Sequence, residues 1–289
     1  MLSNFLIGIR EGLEAALIVG ILIAYIVKVG NRKHLAAVWL GVGSALVISF
    51  ATAGFLAFTS AELSERGEQL FAGTTSLVAV ALVTWMVFWM KRAARGLREE
   101  LHGKVSTALT TGPITVALAA FFAVVREGLE TAVFAYANFR TATSNSAPAI
   151  GLTIGLIAAV ALGWLIYQRA ITINLSKFFT ITGVALVVIA AGVLAYGIHE
   201  FQELGWFPGD GMYAWNLTPW LAPDSIVASF LQGTIGFRTK FTWIELFAWA
   251  VFLLVVLPIY LRKNSVKSVT EGKPAKPANP TEKTEPVAK

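Results

Sequence analysis

The sequence contains no cysteine. That absence excludes disulfides, thiolate metal centres, iron–sulfur clusters and cysteine nucleophiles together, and leaves the redox compartment open. Histidine is nearly as scarce, with only His34, His102 and His199. The first two fall between apolar runs, so no pair stands ready to ligate a buried haem from both faces. Charge is sparse as well: Asp, Glu, Lys and Arg make up 14% of 289 residues, against 56% hydrophobic residues. With a mean hydropathy of +0.68, this composition excludes an ordinary water-soluble domain. No Lys or Arg precedes the first apolar run, which is also longer than the core of a secretory leader, so that run is expected to remain as a span. The net charge of +6 draws on six lysines from Lys263 onward. They fit a basic flank on the cytoplasmic side of a membrane better than a nucleic-acid surface, and no nucleic-acid partner is expected.

What the chain does have is long apolar runs. About 20 apolar residues cross a hydrocarbon core about 30 Å thick. Seven stretches qualify or nearly do: Asn4–Val27, Leu35–Thr59, Leu70–Met90, Ile114–Phe139, Ala149–Tyr167, Phe178–Ile198 and Phe241–Leu261. The expected fold is therefore an all-α integral membrane protein with seven transmembrane helices. Lys28, Arg32, Lys33, then Lys91, Arg92, Arg95, Arg98, Lys104, then Arg169, Lys177 and finally Arg262, Lys263, Lys267 occupy alternate connections. The remaining connections hold only Arg66, Arg140, Arg238 and Lys240. Basic residues collect on the cytoplasmic side, which places the N-terminus outside and the C-terminus inside a cytoplasmic membrane. The membrane part covers 1–262. Residues 263–289, rich in Lys, Pro, Glu and Thr, have little to bury and are expected to stay disordered.

Charges do occur inside two of the greasy runs. The pentapeptide Arg-Glu-Gly-Leu-Glu stands at 10–14 and again at 126–130, with Phe5 matched by Phe121 and Ala16 by Ala132 at the same offset of 116. Three spans precede the second copy, so the two copies cross in opposite directions. This is the pattern of an inverted repeat, about 4–91 against 113–199, with a seventh span at about 241–262 appended. Substrate sites in such folds lie near the midplane. Glu14 is ten residues from Asn4, roughly 15 Å along a helix and half the hydrocarbon thickness.

On a helix Glu11 and Glu14 share a face, and Arg10 can pair with Glu14; Glu127, Glu130 and Arg126 repeat the arrangement. A charge at mid-membrane costs about 2.5–3.5 kcal/mol on insertion scales, so these groups must face one another or water. Gly12 and Gly128 let a neighbouring backbone approach. Four glutamates and two arginines leave a formal charge of −2, and surplus buried charge needs compensation. A cation supplies it. Oxygen donors without thiolate suit hard ions: ferric iron best, with ferrous iron, manganese or magnesium less distinctive. A purely structural pair of salt bridges would not explain the excess acid. Two other classes remain open: a proton-coupled carrier of another substrate or divalent metal, using the glutamates as a relay, and a membrane scaffold for an extracytoplasmic oxidase, which needs nothing at mid-membrane.

The paired motifs, the segment LVTWMVFWMKR at 82–92 and IHEFQELGW at 198–206 closely resemble the iron permease family, in particular its bacterial elemental-iron uptake branch, over roughly residues 1–262. The resemblance implies a transporter rather than an enzyme, with iron, ferric or ferrous, as the transported substrate and no permanently bound cofactor. It implies that Glu11, Glu14, Glu127 and Glu130 bind the metal. It also implies an extracytoplasmic partner that oxidises or binds iron, such as a multicopper oxidase, a cupredoxin-like protein or a haem peroxidase.

Further acids fall on the outer side of the expected topology. Glu62, Glu65 and Glu68 either gather cations or complement the positive N-terminus of the third span. His199 and Glu203 share a face, with Glu200 beside them, and are read either as an outer metal stop or as a polar helix end. Glu245, one turn into the seventh span, is placed to line the same vestibule. Trp206, Trp215 and Trp220 are expected to anchor at the interface, and Met86 and Met90 to pack.

Overall fold

A computed structural model describes residues 1–61, 63–93, 112–141, 146–168, 174–223 and 225–262. Seven long helices form it: α1 (Leu2–Lys28), α2 (Leu35–Ala61) after a 3₁₀ turn at Arg32–His34, α3 (Glu65–Ala93), α4 (Pro113–Thr141), α5 (Ser146–Tyr167), α6 (Leu175–Glu203) and α8 (Trp243–Leu261). Between the last two lie strand β1 (Tyr213–Asn216), the short helix α7 (Ile226–Ile235) and strand β2 (Lys240–Thr242). The tail 263–289 and Glu62 lie outside the described residues.

Local chemistry explains several boundaries. Pro113 opens α4, where its missing N–H would have had no partner. The side chains of Asn174, Ser225 and Thr242 accept from the backbone N–H of Lys177, Ala228 and Glu245, capping α6, α7 and α8. Gly236 ends α7 in the left-handed region at φ 71°, which glycine adopts without steric cost.

Among the described residues five helices are long and apolar enough to cross a membrane: those over Arg32–Thr59, Glu65–Lys91, Ser146–Tyr167, Leu175–Glu203 and Trp243–Leu261. The other two, α1 and α4, have the length, at 27 and 29 residues. They carry the repeated Arg-Glu-x-x-Glu charges in place of an unbroken apolar stretch. The exposed faces suit lipid. Phe50, Phe58, Phe247 and Leu254 are each about two-thirds or more exposed, and a water-facing bundle would not leave so much apolar surface uncovered. The chain is thus a mainly helical, multi-pass membrane protein.

Packing crosses between the two parts of the chain. Helix α1 lies along α5, α2 along α4, and α3 along α6; α6 also carries α8, and α1 meets α4. Small residues make the first two seams close. A Cβ added at Gly12 would lie 2.8 Å from the Ala159 Cβ, and one at Gly128 would overlap Ser49. Each motif glycine is therefore a point of close approach by a partner helix. The main apolar core holds Ile7, Val83, Met86, Phe134, Leu186 and Val187. Met86 and Met90 are fully buried packing residues, as the sequence suggests.

The connection from α6 to α8 is more structured than expected. Strands β1 and β2 pair antiparallel, Trp215 opposite Phe241. The Trp215 ring stacks between Phe237 and Phe241 and its Nε1–H donates to the Arg238 carbonyl at 3.0 Å. Trp215 thus holds the ribbon together, because its ring and its one polar atom have partners inside the loop. Trp206 and Trp220 are exposed, the latter at 91%.

Candidate metal centre

Helix pitch puts Arg10, Glu11 and Glu14 on one flank of α1, and the packing of α1 against α4 turns that flank inward. Arg10, Glu11, Glu14 and Glu127 are all buried. The Arg10 guanidinium donates to Glu11 Oε1 at 2.7 Å and lies 3.3 Å from Glu14 Oε1. Its Nη1 also points at the Met86 sulfur. On α4, Arg126 Nε donates to Glu130 Oε1 at 3.0 Å and stands 3.9 Å from Glu127 Oε1.

One carboxylate oxygen from each of Glu11, Glu14 and Glu127 lies within 4.8 Å of the other two. Among the described residues this is the group of acids and histidines whose donors converge. Some point is then no more than about 2.8 Å from all three oxygens, close to the 2.0–2.6 Å range of metal–carboxylate bonds. The residual acceptors agree. Glu11 Oε2, Glu14 Oε1, Glu127 Oε2 and Glu130 Oε2 are buried without a hydrogen-bond donor, and an unsatisfied buried polar group costs about 1–3 kcal/mol, more when charged. Arg10 faces Glu14 at ion-pair distance without hydrogen-bond geometry. Carboxylate oxygens alone, with no thiolate, are the donor set that would suit a hard cation.

Glu130, the fourth expected acid, is not one of the converging three; its Oε1 is engaged by Arg126. The two copies of the pentapeptide also differ in surroundings. Arg10 is sealed, whereas the Arg126 side chain is 34% exposed and rests 4.0 Å from the Trp89 ring centroid and 5.8 Å from that of Trp85. In the sequence these tryptophans simply precede the packing methionines Met86 and Met90. Only the approach of α3 to α4 makes them a platform for the second arginine.

The remaining expected residues that the structure describes gather at the ribbon end of the bundle. His199 sits between two acids, its Nδ1 2.9 Å from Glu245 Oε1 and its Nε2 3.1 Å from Glu203 Oε1. The carboxylates thus bind opposite sides of one ring instead of converging on a point. Gln69 donates to Glu203 Oε2 at 2.9 Å, and Arg238 lies 3.8 Å from Glu245 Oε2. Glu200 is buried beside Tyr196 and Arg140, and Arg140 binds Glu68 at 2.6 Å. Glu65 is exposed in the first turn of α3. Arg140, Arg238 and Gln69 had no local signal in the sequence, since each meets its acid from a distant helix or loop.

The profile of the iron permease FTR1 family matches residues 1–268. A protein named ferrous iron permease EfeU from Yersinia pestis is 35% identical over 264 residues, covering 90% of this chain and 93% of its own length. Proteins of the same name from Escherichia coli O6:H1 and Shigella sonnei are 32% identical over 264 residues and 33% over 260. The aligned stretches cover 90% of this chain and 95% of the first, and 89% of this chain and 94% of the second. No solved structure matches the chain.

Proposed function

The chain belongs to the iron permease FTR1 family, and from that premise we propose that it carries iron inward across the cytoplasmic membrane through the carboxylate site between α1 and α4. It is a membrane transporter and not an enzyme. The convergence of Glu11, Glu14 and Glu127 from two copies of one motif is the observation that carries this reading.

In this reading all seven long helices span the membrane, α1–α3 and α4–α6 form inverted halves, and the ribbon end faces outward with the C-terminus inside. The basic residues of alternate connections support the orientation. The crossed packing of α1 on α5 and α2 on α4 supports the repeat. The segments 1–262 and 263–289 are its transport domain and tail.

The chain's own groups divide the work. Glu11, Glu14 and Glu127 replace water around the ion with fixed oxygens. Arg10, buried on Glu11 and Glu14, holds those carboxylates in place while the site is empty. Arg126 holds Glu130 next to the site, so a fourth carboxylate is available once the guanidinium shifts toward Trp89. Glu68, Glu200, Glu203 and Glu245 make the outer rim acidic and draw cations toward it. Relatives are named for ferrous iron, and a divalent ion would cancel the site's formal charge of −2. An extracytoplasmic iron-oxidising or iron-binding protein, of the multicopper oxidase, cupredoxin-like or haem peroxidase kind, would deliver iron at this rim.

The test is radio-iron uptake into vesicles with the oxidation state controlled, comparing the parent with Glu14→Gln and Glu127→Gln. Both variants should insert normally and fail to accumulate iron. Undiminished uptake by either one refutes the assignment. Proton movement that depends on these residues with no metal dependence would favour the relay.

A further inference from the structure

Two adjoining water-sized cavities lie between the carboxylate site and the ribbon end. The inner one is lined by Ile7, Val83, Phe134 and Leu186, with Asn138 as its polar side chain. The outer one is lined by Asn138, Tyr196, Gln232 and Arg238. Asn138, Ile189 and Val193 border both. Ile7 is one helical turn from Glu11, and Phe134 is one turn from Glu130, so the inner cavity stands about 6 Å along either helix from the acids.

We propose that the cation reaches the carboxylates through this passage between α4 and α6, and that the Asn138 carboxamide ligates it at the boundary between the polar outer chamber and the dry inner one. The inference rests on the transport reading and adds the route and one ligand to it.

Three features of the surroundings support the passage. Asn138 Nδ2 donates to the Phe134 carbonyl of its own helix at 2.9 Å, which orients the carboxamide. On α1, Asn4 lies on the stripe of Glu11, Glu14 and Ile7, the last of which lines the inner cavity. It is fully buried, and neither amide atom has a hydrogen-bond partner. Apolar packing alone would not keep such a group, whereas water or a passing hard ion satisfies it.

The third feature is a roof. Helix α7 turns back along α6 until the Gly236 backbone abuts Gly192, where a Cβ on either would overlap the other chain segment. Gly192 is eleven residues from the end of α6, roughly 16 Å along its axis. The Trp249 indole N–H fixes α7 there through the Ile235 carbonyl at 3.0 Å. Arg238, held near Glu245, stands at the mouth with its charge opposed by that carboxylate. The apolar ring of Ile7, Val83, Phe134 and Leu186 offers an ion no ligand, so the passage is shut at that level in this conformation and opens only when α4 and α6 move apart.

A chain without cysteine makes the test direct. Val193→Cys, or Ile189→Cys should the first not insert, is placed in the full-length protein in sealed vesicles. A membrane-impermeant thiol reagent added at the outer face should label it, and ferrous iron should slow that labelling several-fold. Phe247→Cys, on the lipid-facing side of α8, should stay unlabelled. In a Glu127→Gln background the labelling should persist while the protection by iron falls. For the ligand, Asn138→Val should raise the uptake KM about tenfold with little change in maximal rate, and Asn138→Ser, which keeps an oxygen, should restore most of it.

Labelling no faster than at Phe247→Cys, faster labelling from the inner face, or no protection by iron in a variant that still takes iron up would each overturn the route. An unchanged KM in Asn138→Val would overturn the ligand. Full uptake by Glu127→Gln alone would instead remove the transport reading beneath it.

Discussion

Replacing Glu127 by Gln keeps shape and one neutral oxygen but removes one negative charge from the converging trio, and the geometry sets the scale of the loss. A divalent ion about 2.8 Å from the carboxylate oxygen is attracted by about 12 kcal/mol at an effective dielectric of about 20. Each of the other two oxygens, at the observed limit of 4.8 Å, repels the Glu127 oxygen by about 3.5 kcal/mol on the same scale. Gathering the charged trio around the ion works against that repulsion, which takes about 7 kcal/mol of the attraction. The net contribution is about 5 kcal/mol, between three and four powers of ten in affinity at about 1.4 kcal/mol per decade. Equilibrium binding of ferrous ion to the purified protein measures it directly, with vesicle uptake as the functional counterpart. Glu130→Gln is the internal control. Its carboxylate is already engaged by Arg126, and its loss should cost no more than about a hundredfold, one hydrogen bond to a charged group at about 1.5–3 kcal/mol. Equal losses at the two positions, or a loss below tenfold at Glu127, would refute the three-oxygen site.

Arg10→Met leaves Glu11 and Glu14 buried without their counter-charge; breaking a buried pair costs about 3–5 kcal/mol, so the folded fraction in detergent should fall and should recover in the Arg10→Met, Glu11→Gln double variant. Gly12→Val places side-chain atoms where Ala159 stands 2.8 Å from a bare Cβ; α1 and α5 should separate, seen as loss of the monodisperse peak in size-exclusion chromatography, whereas Gly43→Val, with nothing within 4 Å of its Cβ position, should behave as the parent. Trp89→Leu removes the ring beneath Arg126, a cation–π contact worth about 0.5–2 kcal/mol; uptake KM should rise by up to about thirtyfold, Trp89→Phe should recover part of it, and an unchanged KM would show that the platform does not matter.

Much of this protein was legible before any coordinates, because helix pitch and bilayer thickness act locally. Apolar runs of sufficient length must become buried or lipid-facing helices. Glutamates three apart must share a face with an arginine four residues from one of them, and a glycine between them must leave a gap on the same helix. The spacing of Arg10 and Glu14 therefore already implied their ion pair on α1, and Gly12 and Gly128 the close seams, whereas the hydrogen bond of Arg10 to its neighbour Glu11 had no such signal. What the sequence could not set is how two such faces are rotated and tilted against each other. That depends on packing between residues more than a hundred positions apart. It admits Glu127 to the trio and leaves Glu130 on Arg126; it seals Arg10 beside Met86 and rests Arg126, in an identical pentapeptide, on Trp89. It also folds a loop that reads as a string of interfacial aromatics into a ribbon and a returning helix, since Trp215 and Gly236 find their partners only after α6 and α8 are in place.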